Sequence, residues 1–165
     1  MPTRLDELLI ENVALVRFAE AGHSIARGID LCVAFGDCPT ILWDRVKNAA
    51  RILNRQLPDD SIDSVSLNLA RPPHPTLIEN NRWFHGLLTD GVPIEYKDSE
   101  TGEMRGGQAR VIDFDNPANN DFLVVRQLTI QGPSGKTIRP DLILHVNGLP
   151  LVMIELKDSA NAARI

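Results

Sequence analysis

The sequence predicts an α+β fold, because helical and strand patterns fall in different parts of the chain. Apolar residues in the first part recur mostly at helical offsets, whereas strand patterns and turn sequences dominate after residue 91. Between them, Pro72-Pro73-His74-Pro75 forms a stiff connector, since clustered prolines favour extended backbone. We therefore expect residues 1–75 to form an N-terminal helical region packed on a core of residues 76–165, within a single compact domain.

The helical pattern comes in four stretches with different end signals. They are Leu5 to Ala21, Ile41 to near Leu57, a shorter stretch after Asp60, and Thr76 to Leu88. Thr76 and Glu79 form a capping-box pattern that opens the fourth of these helices. Ile25 to Phe35 mixes β-branched residues with glycine and is predicted as a short strand or hairpin.

Strand signals dominate the remainder of the chain. The predicted strands are Val92 to Lys97, Ala109 to Phe114, Phe122 to Gln131, Thr137 to Val146 and Leu149 to Leu156. Turn residues connect them, namely Glu100-Thr101-Gly102, Asn116-Pro117, Gly132-Pro133-Ser134-Gly135 and Asn147-Gly148. Short connections of this kind join antiparallel strands, so the predicted sheet is mostly antiparallel.

Composition limits the classes of function. The 165 residues are 43% hydrophobic, with net charge -5 and pI about 5.3, which argues against gripping nucleic acid by a general positive field. No apolar run approaches the roughly 18 residues of a membrane span, and the N-terminus lacks a signal-peptide pattern. We expect a cytoplasmic protein without membrane contact. Cys32 and Cys38 lack a common zinc-ligand spacing and are predicted to be structural thiols.

The most informative segment is the hairpin pattern from Arg139 to Lys157. Leu142 to Val146 and Leu151 to Leu156 are apolar enough to be buried on both faces, yet Asp141, Glu155 and Lys157 stand beside them. Ionised groups next to a core must be paired or bound to metal, and two carboxylates repel each other unless a cation lies between them. The pattern therefore predicts a divalent metal site.

Whether the three charges meet depends on the register of the hairpin. Glu155 and Lys157 are two apart on a strand and share a face. A strict two-residue Asn147-Gly148 turn places Asp141 opposite Ile154, and so sends Glu155 to the other face. A three-residue loop, Asn147-Gly148-Leu149 with left-handed Gly148, places Asp141 opposite Glu155 instead. The site requires the second register.

Given convergence, the residue types indicate hydrolysis of a phosphodiester. Oxygen ligands from Asp141 and Glu155 suit Mg²⁺, which binds through one or two carboxylates and keeps several waters. Lys157 can hold the attacking water or the phosphate. The alternative reading is a surface hairpin with one same-face Glu–Lys pair and an aspartate at the turn entry.

These residues resemble a known superfamily. Pro140-Asp141 followed by Glu155-Leu156-Lys157 resembles the PD-(D/E)xK nucleases. Residues 79–85, 107–122 and 146–151 resemble the N-terminal nuclease domain of the R (restriction) subunit of type I restriction-modification enzymes. The resemblance implies an α/β/α, restriction-endonuclease-like fold with a mixed sheet flanked by helices. It also implies Mg²⁺-dependent double-strand DNA cleavage, with Asp141, Glu155 and Lys157 as catalytic residues and Asp141, Glu155 and the Leu156 carbonyl as metal ligands.

The resemblance also implies partners outside this sequence. In that family an ATP-driven translocase follows the nuclease in the same polypeptide, and the subunit docks on modification and specificity subunits. The chain has no Walker-type phosphate loop, so ATP is expected only in missing motor domains. Asp158-Ser159 can cap a further helix, which suggests a fragment of a longer polypeptide whose nuclease core is incomplete at its C-terminal end.

Other charged residues are further candidates for the site, although each also has a simpler explanation. Superfamily members often add a carboxylate from a preceding helix, here Glu11 or Glu79, although Glu79 is more simply a cap. Candidates for a local phosphate-binding patch are Arg105, Arg110, Arg126, Lys136 and Arg139, or these are scattered surface charges. His145 is predicted to be structural. Two other functions share the fold: a non-catalytic DNA-binding or docking module, and a stand-alone repair or resolvase-type nuclease.

Overall fold

A computed structural model describes residues 3–35, 38–98, 100–132 and 135–157. The helices of these residues are α1 (Thr3–Glu20), α2 (Gly28–Phe35), α3 (Trp43–Leu53), α4 (Asp59–Leu69) and α5 (Leu77–Asp90). The strands are β1 (Ser24–Arg27), β2 (Val92–Lys97), β3 (Met104–Ala109), β4 (Phe122–Arg126), β5 (Ile130–Gln131), β6 (Thr137–Ile138), β7 (Leu142–Val146) and β8 (Leu149–Ile154). None of the described helices combines the length and apolar character needed to cross a membrane.

The chain divides into two compact units. One comprises residues 1–41 and 122–165, called here the sheet unit, and the other comprises residues 42–121, called the helix–hairpin unit. These units are groupings in space, and the division at residue 75 stays a prediction. The helix predicted from Asp158-Ser159 falls outside the described residues.

The sheet unit contains a mixed, largely antiparallel sheet of four strands in the order β1-β4-β7-β8. β1 runs parallel to β4, whereas β4–β7 and β7–β8 are antiparallel. Helix α1 packs on this sheet, since its Leu15 is buried against Val124 of β4 and Leu142 of β7. This α+β architecture confirms the predicted fold class.

Two predicted strands are each interrupted before they reach full length. Gln127 adopts a left-handed φ of 52°, which ends β4 because extended pairing requires a negative φ. Its backbone N–H donates to the carbonyl oxygen of Asp141 at 2.9 Å, immediately before β7 begins. β5 and β6 pair separately as a short ribbon. Asp141 therefore lies immediately before the first residue of β7, and a hydrogen bond from Gln127 holds its main chain.

The helix–hairpin unit is tied together by side chains that bond to the backbone. Thr76 caps α5 by accepting a hydrogen bond from Glu79 N at 3.3 Å, as predicted. Buried Asn54, just after α3, donates to the Arg110 carbonyl at 2.8 Å and accepts from Arg110 N at 2.8 Å. A strand was expected at Ala109 to Phe114, and this is wrong, because side chains take over the hydrogen bonds that a partner strand would supply.

Asp113 organises the loop that follows. Its carboxylate accepts from the backbone N–H groups of Asp115 (3.1 Å) and Asn116 (3.0 Å), and from Asn119 Nδ2 at 2.8 Å. These bonds, that from Asn119 above all, lower the pKa of the Asp113 carboxyl below its ordinary value. Asn120 completes the loop by bonding both the N–H and the carbonyl of Asp113.

The region after β1 also differs from the prediction. Residues 28–35 form the helix α2 rather than a strand or hairpin. Cys32 of this helix and Cys38 have Cα atoms 4.2 Å apart and form a disulfide, so the prediction of two free thiols is wrong. Two cysteines six residues apart can meet only when the chain between them reverses direction. The hydrophobic pattern and the residue types of this region did not predict such a reversal.

We predict opposite effects for alanine at two glycines. A Cβ added at Gly28 lies 2.4 Å from the Leu128 Cα, so Gly28→Ala forces the backbone apart and lowers the free energy of unfolding by about 1–3 kcal/mol. Gly86 lies within α5 with no atom within 4 Å of the added Cβ, so Gly86→Ala raises that free energy by roughly 0.5–1 kcal/mol. Chemical denaturation measures both, and equal effects would contradict the packing at Gly28.

We also predict that Asp113 contributes to acid sensitivity. Because its folded pKa is depressed, its stabilising effect is present above the unfolded pKa of about 3.9 and is lost as pH falls through the folded value. Asp113→Asn should therefore lower stability at neutral pH and flatten the loss of stability below about pH 4. Unfolding free energies measured across that range test this, and an unchanged acid slope would rule out the proposed loop contribution.

Candidate active site

The β7–β8 hairpin closes through a two-residue turn. Asn147 and Gly148 both have positive φ, 53° and 83°, as a type I′ turn requires, and Val146 pairs with Leu149. The three-residue loop that the site was predicted to need is therefore wrong. By itself, the observed turn would send Asp141 and Glu155 to opposite faces.

A β-bulge in β8 restores the required register. His145 pairs with Pro150, but Leu144 pairs with Val152, so Leu151 is an extra residue on β8. Beyond the bulge the pairing continues to Leu142 and Ile154. Asp141 and Glu155 lie just outside the paired residues, and continuing this register by one residue would set them opposite each other. Pro150 is the one sequence signal for this feature, since proline cannot donate to a ladder and occurs at edges and bulges.

Asp141 contacts the end of β8 directly. Its Oδ2 accepts a hydrogen bond from Leu156 N at 2.6 Å, and the residue is half-buried. The backbone N–H of Gln127 also binds the main-chain carbonyl of Asp141, so hydrogen bonds hold both the side chain and the main chain of this residue. Oδ1 has no hydrogen bond to any described residue and remains available as an acceptor.

Glu155 and Lys157 share a face, as their spacing predicts. Lys157 Nζ donates to Glu155 Oε1 at 3.3 Å, with the two side chains 69% and 57% exposed. An exposed pair of this kind contributes little to stability, because water screens it. The argument from buried charge thus applies to Asp141 but not to Glu155 and Lys157.

The expected burial of β8 is also wrong. Leu151, Val152 and Met153 are exposed, because β8 is an edge strand of the described sheet. Ile154 and Leu156 are partly buried and pack with α1 against the core. Burial of these two side chains therefore orients the segment just after β8 that carries Glu155 and Lys157.

The oxygen atoms at this edge fit a hard divalent cation. Oδ1 of Asp141 and Oε2 of Glu155 are not used in hydrogen bonds with described residues, and Leu156, the residue after Glu155, adds a carbonyl oxygen. Mg²⁺ accepts such oxygens and completes its shell with water and phosphate oxygens. No group of three or more His, Cys, Asp or Glu side chains suited to metal occurs within the described residues.

Glu11, one of two candidates for an additional carboxylate, lies in the sheet unit. It is buried, with Arg126 Nε 2.9 Å from Oε1 and Gln127 Nε2 donating to Oε2 at 3.1 Å. Gln127 in turn holds the main chain of Asp141, so Glu11 supports the site through two intervening bonds. Its role as a metal ligand stays a prediction.

The other predicted residues separate into those near the hairpin and those elsewhere. Glu79 accepts from Thr76 Oγ1 at 2.6 Å and serves α5 as a cap. Arg105 and Arg110 belong to the helix–hairpin unit, where each pairs with an aspartate. Arg126 and Arg139 line a cavity of the sheet unit together with Arg27, which the sequence reading missed. His145 is fully buried near the Thr40 carbonyl, which agrees with a structural role.

Comparison with known proteins identifies relatives over almost the whole chain. Residues 4–164 match the family described as type I restriction enzyme R protein N terminus. The type I restriction enzyme HindI endonuclease subunit of Haemophilus influenzae is 38% identical over 160 residues, which is 93% of this chain. The putative type I restriction enzyme MjaIXP endonuclease subunit of Methanocaldococcus jannaschii is 28% identical over 158 residues, or 92% of this chain. The chain spans 15% of the length of each relative.

The contact between Asp141 and Leu156 generates a prediction that is independent of function. Asp141→Ala removes the acceptor for Leu156 N–H, so the exchange of that amide with solvent should accelerate about tenfold or more. Asp141→Asn keeps an oxygen acceptor and should have a smaller effect. Glu155→Ala is the matched control, since Glu155 bonds Lys157 and not this amide. Equal exchange rates in the Asp141→Ala and Glu155→Ala variants would contradict the geometry.

Proposed function

The chain belongs to the family of type I restriction enzyme R protein N termini, and from this membership we propose that it is the nuclease domain of such a subunit. Its reaction is Mg²⁺-dependent hydrolysis of phosphodiester bonds in double-stranded DNA. The observation that supports the proposal is the β8 bulge, which shifts the register by one residue so that its continuation beyond Leu142 and Ile154 would set Asp141 opposite Glu155 despite a two-residue turn.

The proposed metal ligands are Asp141, Glu155 and the Leu156 carbonyl. When bound, Mg²⁺ would supply charge neutralisation at the phosphate and acidify a coordinated water. Leu156 N–H fixes one oxygen of Asp141, so the other is presented in a defined direction at little entropic cost. Oε2 is the proposed ligand atom of Glu155, because Oε1 accepts from Lys157.

Lys157 is the proposed third catalytic residue. Its ammonium already lies at the carboxylate edge, 3.3 Å from Glu155 Oε1. From there its three N–H donors can hold the attacking water or a non-bridging phosphate oxygen. High exposure suits this role, since the lysine must exchange one partner for another when DNA arrives.

The remainder of the reaction depends on partners. We propose that a longer polypeptide supplies an ATP-driven motor, and that modification and specificity subunits select the DNA in the cytoplasm. Delivery by a motor accounts for the acidic balance, because the net charge of -5 opposes unaided binding to DNA. The nuclease then needs only local phosphate contacts.

Substitution of the three residues tests the mechanism in an R subunit that carries this chain, assembled with its partner subunits. Asp141→Ala, Glu155→Ala and Lys157→Ala should each reduce cleavage of unmodified plasmid by about a hundredfold or more, since each removes a metal ligand or a charged donor at the reacting phosphate. Cleavage is followed by gel with Mg²⁺ and ATP.

Two controls separate chemistry from folding. ATP hydrolysis should persist in all three variants, because the motor lies outside the altered residues. Lys97→Ala changes an exposed lysine of β2 and should cut like the wild type. Cleavage at the wild-type rate by the Asp141 and Lys157 variants would exclude the proposed site.

A further inference from the structure

A cavity of about 490 Å³ lies in the sheet unit, and three arginines line it. They are Arg27 at the end of β1, Arg126 at the end of β4 and Arg139 before β7. Gln127 and Thr129 also line this space. Three guanidinium groups around one cavity indicate an anionic ligand, because guanidinium N–H groups bind phosphate and carboxylate oxygens strongly.

Two of these arginines are held by carboxylates that leave part of each guanidinium available. Arg27 donates through Nε and Nη2 to Asp30, at 2.8 and 2.7 Å, so its Nη1 group remains open. Arg126 has Nε 2.9 Å from the buried carboxylate of Glu11, which leaves both terminal nitrogens for a ligand. The buried carboxylate of Glu11 therefore orients Arg126 before a ligand binds, which reduces the entropic cost of binding, whereas the exposed Arg27–Asp30 pair contributes less.

Arg139 is the third arginine and differs from the others. It is exposed and has no hydrogen bond or ion pair with any described residue. Three guanidinium charges against the two carboxylates of Asp30 and Glu11 leave one positive charge at the cavity. One phosphodiester carries a single negative charge and matches this excess.

Residues that line the cavity are close to Asp141 of the candidate active site, either in sequence or by hydrogen bonding. Arg139 is two residues before Asp141, and Arg126 pairs with Leu142, the residue after Asp141. Gln127, which lines the cavity, donates its backbone N–H to Asp141. An anion in the cavity would therefore lie at the same ends of the strands as the proposed catalytic carboxylates.

We propose that this arginine cavity binds a backbone phosphate of duplex DNA, on a nucleotide neighbouring the one that is cut. The inference rests on the proposed function and adds to it the contact that positions the strand. Duplex DNA is favoured over a small anion because Gln127 and Arg139 link the cavity to Asp141, where a phosphodiester would react.

The test is the affinity of the chain for a short labelled duplex, measured by fluorescence anisotropy without divalent metal over a range of salt. Arg139→Gln should weaken binding about tenfold and reduce the salt slope by about one, as loss of one phosphate contact requires. Arg71→Gln removes an exposed arginine of the helix–hairpin unit and should change affinity less than twofold. Since Arg139 has no described partner, the variant should unfold at the wild-type temperature.

Other outcomes would overturn the proposal. Equal losses in Arg139→Gln and Arg71→Gln would indicate attraction by the general charge of the protein and would exclude a phosphate contact specific to the cavity. Arg139-dependent binding of inorganic phosphate but not duplex would make this a small-anion site.

The two proposals fail separately. If Arg139→Gln binds duplex like the wild type while Asp141→Ala still abolishes cleavage, the cavity inference falls and the nuclease assignment stands. If Asp141→Ala cuts normally while Arg139→Gln weakens binding, the nuclease mechanism falls and the phosphate contact stands.

Discussion

The register between β7 and β8 is the constraint on which the candidate site depends. Side chains alternate along a strand, so a shift of one residue would place Asp141 and Glu155 on opposite faces. The type I′ turn and the bulge at Leu151 act together, because the turn sets one parity and the extra residue reverses it. The sequence suits both features: Asn147 and Gly148 tolerate the positive φ values of the turn, and Pro150, which cannot donate to a ladder, suits the position beside the bulge.

A second constraint holds Asp141 from the opposite side. Gln127 ends β4 in a left-handed conformation and bonds the main chain of Asp141, while its side chain bonds Glu11. Glu11 is buried and is compensated by Arg126, since an unpaired buried carboxylate would be strongly destabilising. The same contacts therefore fix the aspartate and orient one arginine of the neighbouring cavity. The proposed catalytic groups and the proposed phosphate-binding arginines therefore share the same supporting contacts.

Local patterns in the sequence were sufficient for much of the fold. Helix α1, the Thr76–Glu79 cap and the bounds of β2 follow from periodicity and capping chemistry. β3 was not predicted, because Gly106 and Gly107 have low strand propensity. Packing favours glycine at position 107, since an added Cβ there would lie 3.2 Å from the Tyr96 ring. The arrest of a strand at Arg110 depends on Asn54, which is 56 residues away. Such long-range bonds leave no local signal.

The site was predictable in composition but not in construction. Asp141, Glu155 and Lys157 were predicted as site residues from their types, their spacing and the family resemblance, and their catalytic roles stay a prediction. The bulge that would align Asp141 with Glu155 is set by tertiary pairing. The central claim is that Asp141 and Glu155 share one divalent cation, and anomalous diffraction from crystals of the chain soaked in Mn²⁺ tests it most directly. The account predicts a single strong peak in coordination contact with both carboxylates and the Leu156 carbonyl. A peak elsewhere, or none at this edge while the hairpin keeps its register, would contradict it.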